Sequence, residues 1–467
     1  MRDKRIFISD RKFNFFGKQR YNFRFSSVSR RSLLTVALIL IVKSMLSYSV
    51  PGYARQTGLS CSACHLAFPE LNSFGRQFKL TGYTLTTVGT IGEKDAKERQ
   101  KLKLPNIPAF SAMAQLSLSS LNTKIPETQN NNVEFPQQLS FFLCGEVTPK
   151  IGTFIQFTYD QQGAAFGIDN VDIRYANQTT LSSKNLIYGF SLNNNPAVQD
   201  LWNTFPAWGY PYASSEVAPA PQAATLAEGG LAQQVAGIGA YGLFNNLIYA
   251  EISLYRSAPQ GAPDPPGADA EMIVKGVAPY WRLAIQHQWS ANYIEIGTLG
   301  LMAHLYPSGI SGMTNRFTDI GFDGQYERSF SKSSIVVHAS WINENQYLDA
   351  SYETGDSQNS KNNLNSFKID GSLFLNKGVN FTAGYFVING TSDFILFTPD
   401  AIDGSRTGIP DSNGWILQAT CIPWLNTHFS LQYVINNKFN GAKSNYDGFG
   451  RNASDNNSVY FLTWINF

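Results

Sequence analysis

The stretch LIYAEISLY, residues 247–255, decides the fold class of this chain. Its even-numbered positions are all apolar: Ile248, Ala250, Ile252 and Leu254. The odd-numbered positions between them carry Tyr, Glu and Ser side chains. Because successive side chains of a β-strand point to opposite faces, this alternation predicts a strand with one apolar face and one polar face.

The same period of two returns from about residue 111 to the end of the chain. Residues 111–119 and residues 428–435 show it clearly. Aromatic residues make up 13% of the chain and charged residues only 15%, which suits a membrane β-barrel. We predict sixteen strands, at residues 111–121, 137–147, 150–160, 168–177, 183–192, 230–242, 245–256, 278–289, 291–304, 316–328, 331–344, 365–377, 379–391, 412–423, 426–437 and 457–467.

The connections between these strands alternate in length. Residues 243–245 and 376–378 form short turns, whereas residues 193–229 and 392–411 form long loops. Outer-membrane barrels have short periplasmic turns and longer extracellular loops, and about 9–11 tilted residues cross a bilayer. The sequence therefore predicts an all-β fold, a sixteen-stranded antiparallel outer-membrane β-barrel over residues 107–467.

The C-terminal end gives a second argument for a barrel. The chain closes with VYFLTWINF, and Phe467 shares its strand face with Ile465, Thr463, Phe461 and Val459. A terminal Phe on an alternating apolar strand resembles the signal that the outer-membrane barrel assembly machinery reads. The alternative is a soluble, β-rich secreted protein.

The N-terminal end differs in charge from the rest of the chain. Residues 1–49 hold 11 Lys/Arg and 2 Asp/Glu, whereas the remainder holds 25 basic and 32 acidic residues. The apolar run at 33–42 is too short to span a bilayer. With its basic flank and the small residues Ser47 and Ser49 after it, this run predicts a signal peptide over residues 1–49, with an uncleaved anchor as the alternative. We expect export to the outer membrane of a Gram-negative bacterium and no nucleic-acid partner.

Residues 61–65, CSACH, fit C-x-x-C-H, the attachment pattern of c-type haem. The spacing places the Cys61 and Cys64 thiols within reach of the two haem vinyl groups, with His65 as the proximal iron ligand. A zinc site would need a second ligand pair, a redox dithiol would need a βαβ context, and a structural disulfide is the third alternative. We predict one covalently bound haem c in a small segment over residues 50–106, linker included.

Residues 55–85 are predicted to be helical. Pro69 suits the first turn of a helix, and Gly82 suits the end of one. The charged run at residues 92–101 is predicted to be an exposed linker or a short helix.

Five side chains of this segment are candidates for contact with the haem itself. Phe74 and Phe78 share one helical face and are predicted to pack on it. Arg55 and Arg76 are predicted to pair with its propionates, with Lys79 as a further candidate, because Arg–carboxylate contacts suit that geometry. The alternative for the three basic residues is a solvated basic face.

Met113 is the candidate for the second axial ligand of the iron. It lies on the polar face of the first strand, which would face the lumen, and Met/His ligation raises a haem potential. The alternative is that Met113 only packs against the segment. Four histidines on later strands are rivals: His287, His304, His338 and His428. Cys144 and Cys421 lie on strands that are not neighbours, so we expect them to be unpaired.

Residues 54–83 resemble the N-terminal segment of the fused monohaem cytochrome–porins, whose best-known members are outer-membrane Fe(II) oxidases. The matching residues are ARQTG at 54–58, CSACH at 61–65, Pro69, Leu71, Asn72, Phe74, Gly75, Arg76, Phe78, Lys79, Gly82 and Tyr83. The resemblance implies a small cytochrome segment followed by a sixteen-stranded barrel. The iron-oxidase members usually read Phe-Gln directly after the haem His, whereas Leu66 follows His65 here. This departure indicates a neighbouring branch, in which the architecture transfers better than the use of Fe(II).

The sequence and this resemblance predict an outer-membrane electron-transfer protein. An extracellular donor, by resemblance Fe(II), would reduce the haem, and a periplasmic electron-carrier protein would oxidise it, which is an Fe(II):cytochrome c oxidoreductase-type activity. Because tunnelling falls steeply with distance, a single haem must be accessible from both sides, so the cytochrome segment is expected to plug the lumen. Two alternatives are a porin with a haem-bearing plug and a haem peroxidase-like enzyme.

Overall fold

The structure is a computed structural model that describes residues 52–98, 100–106, 109–160, 165–257, 273–307, 312–375 and 378–467. The predicted signal peptide lies outside the described residues. The elements before the barrel are α1 (Gly52–Thr57), α2 (Cys61–Cys64), β1 (His65–Ala67), β2 (Glu70–Leu71), α3 (Ser73–Leu80), β3 (Thr90–Lys94) and β4 (Gln100–Pro105). β1 pairs with β2 and β3 pairs with β4, both antiparallel. No helix in the described part of the chain is long and apolar enough to cross a bilayer.

Sixteen antiparallel strands close into a barrel, which confirms the predicted fold class. Closure joins the last strand to the first, and Ala112 and Phe467 exchange backbone hydrogen bonds of 2.6 and 2.8 Å. The strands are β5 (Phe110–Leu121), β6 (Asn132–Thr148), β7 (Ile151–Asp160), β8 (Ala165–Leu181), β9 (Lys184–Asn193), β10 (Ala236–Phe244), β11 (Ile248–Arg256), β13 (Ala278–Trp289), β14 (Asn292–Tyr306), β15 (Asn315–Ser329), β16 (Ser333–Tyr347), β17 (Lys361–Leu375), β18 (Val379–Gly390), β19 (Ser412–Trp424), β20 (Thr427–Lys438) and β21 (Ser458–Asn466). A two-residue strand, β12 (Ile273–Val274), pairs with β14, and α4 (Asp349–Thr354) follows β16.

Along most barrel strands, exposed apolar side chains on the outer face alternate with buried, mainly polar side chains that face the lumen. In β11, Ile252 is 59% exposed, whereas its neighbours Glu251 and Ser253 are 5% and 1% exposed. A bilayer requires such an apolar exterior and a closed sheet, because lipid cannot satisfy unpaired backbone groups. The chain is therefore a porin-like barrel of outer-membrane type, with outer-membrane lipid as its surroundings.

Short and long connections alternate around the barrel, as predicted. One end has short turns, such as those between β6 and β7 and between β15 and β16. The other end has the long connections, among them residues 194–235, 391–411 and 439–457. We call these the short-turn end and the long-loop end. In outer-membrane barrels the short turns face the periplasm.

The segment before the barrel is less regular than predicted. Residues 55–85 are broken into short elements, and Pro69 lies between β1 and β2 instead of opening a helix. Helix α3 starts after Asn72, whose side-chain oxygen accepts a 3.0 Å hydrogen bond from the Gly75 backbone N–H, and such a cap fixes a helix start. The predicted end is confirmed, since Gly82 has a left-handed φ of 73° directly after the helix.

Two of the other differences from the prediction bear on the residues before the barrel and on the lumen. Residues 92–101 form much of the β3–β4 hairpin and not a linker or helix. Leucines and lysines alternate at residues 101–104, which is the pattern of a strand and favours pairing with the residues before the turn. β10 begins at Ala236 and not at residue 230. The residues before it turn into the lumen, where Leu231 and Val235 join a buried apolar cluster.

Residues 194–235, between β9 and β10, fold into the lumen. Trp202 and Phe205 of this stretch are buried. Asp200 Oδ1 forms a 2.8 Å ion pair with Arg282 Nη1 on the barrel wall. The Arg282 guanidinium also lies 4.6 Å from the ring centroid of Trp202. Buried charges persist only when they are paired. This contact therefore fixes the loop inside the barrel.

Asp393 organises the long-loop end and gives a pH prediction. Its carboxylate accepts hydrogen bonds from the backbone N–H groups of Gln358 and Leu396, both at 3.0 Å, and from the Ser357 hydroxyl at 2.8 Å. Burial raises the pKa of Asp393, but these hydrogen bonds outweigh burial and hold its pKa below the usual range. The stabilisation is therefore complete above roughly pH 4 and is lost as the pH falls through the lowered pKa.

Hydrogen exchange in residues 391–411, corrected for intrinsic rates, is expected to be slow at neutral pH and faster in strong acid. Asp393→Ala should exchange rapidly at both. Asp403→Ala, which removes an exposed acid of the same loop, should match the unmodified protein. Slow exchange in Asp393→Ala at neutral pH would contradict this role.

Candidate cofactor-binding site

Residues 52–85, called here the N-terminal segment, contact lumen-facing groups of the barrel. The Tyr53 hydroxyl donates to the Thr153 carbonyl at 2.7 Å, and the Tyr83 hydroxyl donates to Asp172 Oδ2 at 2.7 Å. Thr153 belongs to β7 and Asp172 to β8. The segment is therefore held against this part of the inner wall.

Glu70 ties the segment to the opposite part of the wall. Its side chain is buried, and it accepts a 2.5 Å hydrogen bond from the Tyr212 hydroxyl. His338 Nε2, from β16, lies 3.1 Å from Glu70 Oε1, and His338 Nδ1 lies 3.0 Å from Asp370 Oδ2. Both ring nitrogens of His338 are therefore engaged, and the carboxylates of Glu70 and Asp370 flank it.

Arg76 of α3 is also directed at the wall. It is buried and forms an ion pair with Glu327 of β15. Its Nη1 donates to the Leu71 carbonyl at 2.8 Å, and its guanidinium lies 4.1 Å from the ring centroid of Tyr293. Arg76 therefore anchors the segment to the barrel wall.

The single-turn helix α2 carries Cys61 and Cys64, which are three residues apart and therefore neighbours on one helical face. Asn72 holds this turn, since its side-chain amide donates to the Ala63 carbonyl at 3.0 Å. A side chain on Gly75 would overlap the Cys64 carbonyl oxygen. The small residue at 75 thus lets α3 pack directly on the cysteine turn.

The structure joins none of the four described cysteines in a disulfide. Cys144 lies on β6 and Cys421 on β19, and these two strands are not neighbours in the barrel, as predicted. The pKa of Cys64 is raised to about 11, mainly by burial of the thiol and to a lesser extent by the neighbouring Cys61. Redox dithiols and metal sites use thiolates, which a raised pKa disfavours. Among the described residues, no group of three or more His, Cys, Asp or Glu is placed to hold a metal ion.

His65 lies directly after the cysteine turn. Its Nδ1 is 3.2 Å from the Pro69 carbonyl oxygen. A carbonyl oxygen can only accept, so this contact places the proton on Nδ1 and leaves the Nε2 lone pair available. Burial lowers the pKa of His65 to about 4, so the ring is neutral at pH 7. A neutral imidazole with its second nitrogen held by a carbonyl is the usual state of a metal-ligating His.

Cys61, Cys64 and His65 line one cavity of about 300 Å³ in the barrel. Typical ligand sites span roughly 300–1,000 Å³ and have mostly apolar walls. The aromatic residues of this wall are Tyr53, Phe68, Phe78, Tyr83, Phe142, Phe154, Trp208, Tyr212 and Trp464. Polar side chains such as Gln156 and Asp169 line the part that lies along β7 and β8. The cavity thus has the size and lining of a site for a largely apolar group.

The structure brings some of the predicted site residues together and separates others. The ones that line the cavity are Cys61, Cys64, His65, Phe78, Lys79 and Met113. Phe74 is 40% exposed and does not line it. Arg55 donates to the Phe110 carbonyl, and Lys79 Nζ donates to the carbonyls of Val198 and Asp200 at 2.6 and 2.8 Å.

Met113 faces the lumen, as its position in the alternation predicts. It is 3% exposed and packs with Leu462 and Trp464 of β21. Among the rival histidines, His428 lines an adjoining cavity, with the Phe68 ring 6.4 Å away. His287 is exposed and stacks on Trp289, and neither His304 nor His338 lines the main cavity.

Several wall residues could not be found by motif. Trp208 comes from the loop that folds into the lumen, and no sequence signal places it beside Lys79 at 4.7 Å from ring centroid to Nζ. Trp464 had a usable signal, because it lies on the strand face opposite Phe467 and must point into the lumen. An aromatic residue at a lumen-facing position marks either packing or a bound apolar group.

Gly75→Ala is expected to separate α3 from the cysteine turn, because the new methyl group would overlap the Cys64 carbonyl. Limited proteolysis should then cleave the N-terminal segment faster, while the barrel keeps its heat-resistant mobility on gels. Gly371→Ala is the matched control, since a methyl group there meets only ordinary contacts. Equal cleavage rates for both variants would show that this approach is unimportant.

Comparisons with known proteins add the following. No family model matches the chain, and no curated protein sequence matches it. Among solved structures, a loop-L8 deletion mutant of OmpT, an outer membrane protein of Vibrio cholerae, is 9% identical, covers 77% of this chain and 98% of that chain, and gives a TM-score of 0.45. The outer membrane channel DcaP of Acinetobacter baumannii is 10% identical, with 77% and 96% covered and a TM-score of 0.45. Salmonella typhi OmpF in complex with daunomycin is 10% identical, with 78% and 98% covered and a TM-score of 0.44.

Proposed function

We propose that this protein is a single-haem electron conduit across the outer membrane, with the N-terminal segment as a cytochrome plug in the barrel lumen. The observation that carries the proposal is the shared cavity of Cys61, Cys64 and His65, which stand in the C-x-x-C-H order of c-type haem attachment. In this proposal, Cys61 and Cys64 hold one haem c covalently, and His65 is its proximal ligand. The resemblance of residues 54–83 to the monohaem cytochrome–porins supports the same assignment.

The residues present fit such a group. The Cys64 thiol is neutral, the His65 Nε2 lone pair is available, and the surrounding wall is aromatic. When bound, the haem supplies a centre for one-electron transfer. The protein residues orient it through two thioether bonds and exclude water with aromatic side chains, both of which favour fast transfer.

The position of the cavity supports access from both sides. Ser60 and Leu59, beside the cysteine turn, line the cavity and are exposed. Asp169 and Asn170 line it near the beginning of β8, which follows a connection of the long-loop end. A single centre in this cavity could exchange electrons with a donor outside and with a carrier protein in the periplasm. By resemblance the donor is Fe(II), and the reaction is then an Fe(II):cytochrome c oxidoreductase activity.

The lumen contents oppose a simple porin. Both the N-terminal segment and residues 194–235 occupy the barrel interior, and Trp202 and Glu70 are among their buried side chains. Because these two parts of the chain occupy the lumen, solute diffusion is a weaker candidate function than electron transfer. Met113 would oppose a peroxidase-like enzyme if it helped to hold the iron, because such an enzyme needs the iron to be accessible to its substrate.

Met113 would hold the iron of such a group together with His65, because both residues line the same cavity and Met113 is buried. Met113→Ala is expected to shift the visible haem spectrum and to lower the midpoint potential, since loss of a Met ligand lowers it. His428→Ala, at the adjoining cavity, should change neither. The assignment is wrong if Met113→Ala behaves like the unmodified protein, and a change only in His428→Ala would move the assignment to His428.

The proposed function is tested by expression with haem attachment, haem staining, and Fe(II) reduction of the haem in whole cells and proteoliposomes. A stained, Fe(II)-reducible protein is the expected result. Absence of covalent haem overturns the cytochrome assignment. A haem that Fe(II) does not reduce overturns the donor. Rapid solute flux through liposomes would favour the porin, and rapid peroxide turnover would favour the enzyme.

A further inference from the structure

The short-turn end carries an excess of exposed positive charge. The turns of this end contribute lysines, and the β3–β4 hairpin contributes more. The hairpin lies at this end because Lys103 Nζ forms a 3.0 Å ion pair with Glu146 Oε1 of β6. The exposed basic residues of this end are Lys94, Lys97, Lys101, Lys150, Lys184, Arg328 and Lys332. Within the described residues, the exposed acids there are Glu93 and Glu98. At the long-loop end, by contrast, exposed acids such as Asp349, Glu353 and Asp400 accompany the lysines.

The hairpin also presents an uncovered apolar face. Ile91 and Leu104 are cross-strand partners, Leu102 shares their face, and all three are exposed. An isolated two-stranded hairpin has little stability of its own. Exposed apolar residues rimmed by charge mark interaction sites.

This face lies at the short-turn end, where part of the cavity wall is exposed. Leu59 is exposed, lines the cavity, and directly precedes the cysteine turn. The Thr87 N–H, shortly before the hairpin, donates to the Gln56 carbonyl at 3.3 Å, so hairpin and turn are joined through neighbouring backbone. An exposed apolar surface beside a redox cavity, at an end of the barrel with an excess of positive charge, is suited to brief docking of another redox protein.

We propose that the β3–β4 hairpin and the basic short-turn end form the docking surface for a soluble redox protein with an acidic contact face. The proposal rests on the proposed function, which supplies a reason for electron exchange at this end. The lysines attract and orient the partner through long-range electrostatics. The apolar residues then hold it while an electron passes.

Anionic lipid headgroups are the other chemistry that could meet these lysines. The turn residues Lys150 and Lys332 lie on the barrel rim, where headgroups are near. The hairpin lysines lie before the barrel, next to an apolar face that a headgroup does not require. The hairpin therefore favours a protein partner.

The test measures binding of two soluble probes, an acidic c-type cytochrome and a basic one, to the protein in detergent micelles at low and high salt. The test variant carries Lys94→Glu, Lys97→Glu and Lys101→Glu. The matched control carries Lys275→Glu, Lys361→Glu and Lys443→Glu, which reverse three exposed lysines of the long-loop end. The acidic probe should bind the unmodified protein and the control, lose affinity at high salt, and bind the test variant about tenfold more weakly.

A second variant, Leu102→Ser with Leu104→Ser, should speed dissociation of the acidic probe and leave the salt dependence of association intact. Equal binding of the acidic probe to the test variant and to the control overturns the proposal. Preferred binding of the basic probe overturns it too. So does a result in which the test variant loses affinity for phosphatidylglycerol vesicles but keeps affinity for the acidic probe.

The binding measurement does not depend on whether the protein carries haem. The docking proposal and the proposed function can therefore be refuted separately. Charge-dependent binding by a protein that takes up no haem would refute the proposed function but would still support the docking surface. A covalently loaded protein without charge-dependent binding would do the reverse.

Discussion

Cys61→Ser with Cys64→Ser is expected to abolish covalent haem attachment completely, while the barrel still assembles. The two thiols are the proposed attachment points, and serine cannot form the thioether bonds. The barrel should be unaffected because its strands close through backbone pairing of β5 with β21, to which the cysteine turn contributes nothing. Haem staining of denaturing gels measures the attachment, and heat-modifiable gel mobility measures the barrel.

Cys144→Ser is the control for this experiment. Cys144 lines the same cavity, yet it lies on β6 outside the C-x-x-C-H motif. It should therefore stain like the unmodified protein. A double variant that retains full stain after denaturation would disprove the assignment of Cys61 and Cys64, and loss of stain in Cys144→Ser alone would point to a different attachment site.

Arg76→Met is expected to loosen the N-terminal segment strongly. Its guanidinium is buried against Glu327 and Tyr293, and removal of one partner from a buried ion pair costs about 3–5 kcal/mol, because the other charge stays buried alone. The penalty falls on the docking of the segment and not on the closure of the barrel. Hydrogen exchange in residues 73–80 should therefore accelerate, while exchange in the strands stays slow.

Two controls sharpen this prediction. Lys94→Met breaks an exposed pair with Glu98 of the same region, and such pairs contribute little, so it should change nothing measurable. Arg76→Met combined with Glu327→Met removes both charges and should restore much of the protection. If Arg76→Met and Lys94→Met exchange alike, the buried pair does not anchor the segment.

Much of the fold followed from local patterns. In β11 the alternation of Ile252 with Glu251 and Ser253 predicted both the strand and its faces, because backbone pleating alone sends successive side chains to opposite sides. The same alternation predicts that Met113 lies on the lumen face, where the structure places it. Pro69 misled the helix prediction because the cap at Asn72 lies further along the chain.

Other parts of the candidate site depend on contacts between residues far apart in sequence. No local signal pairs Arg76 with Glu327, 251 positions apart, or Glu70 with His338, 268 positions apart. The same holds for the entry of residues 194–235 into the lumen, since their polar and aromatic composition suits an external loop equally well. Lumen-facing groups find partners only after the barrel has closed around them.

The sequence by itself determined the sixteen strands, their inner and outer faces, and the cysteine–histidine motif, because each depends on spacing within a few residues. Only the tertiary structure decided that the motif shares a cavity with Met113 and Trp464, that Arg76 binds the wall, and that the β3–β4 hairpin stands exposed beside the short turns. The physical reason is that closure of the barrel sets which side chains meet in the lumen, and closure depends on the pairing of β5 with β21 at the two ends of the barrel sequence.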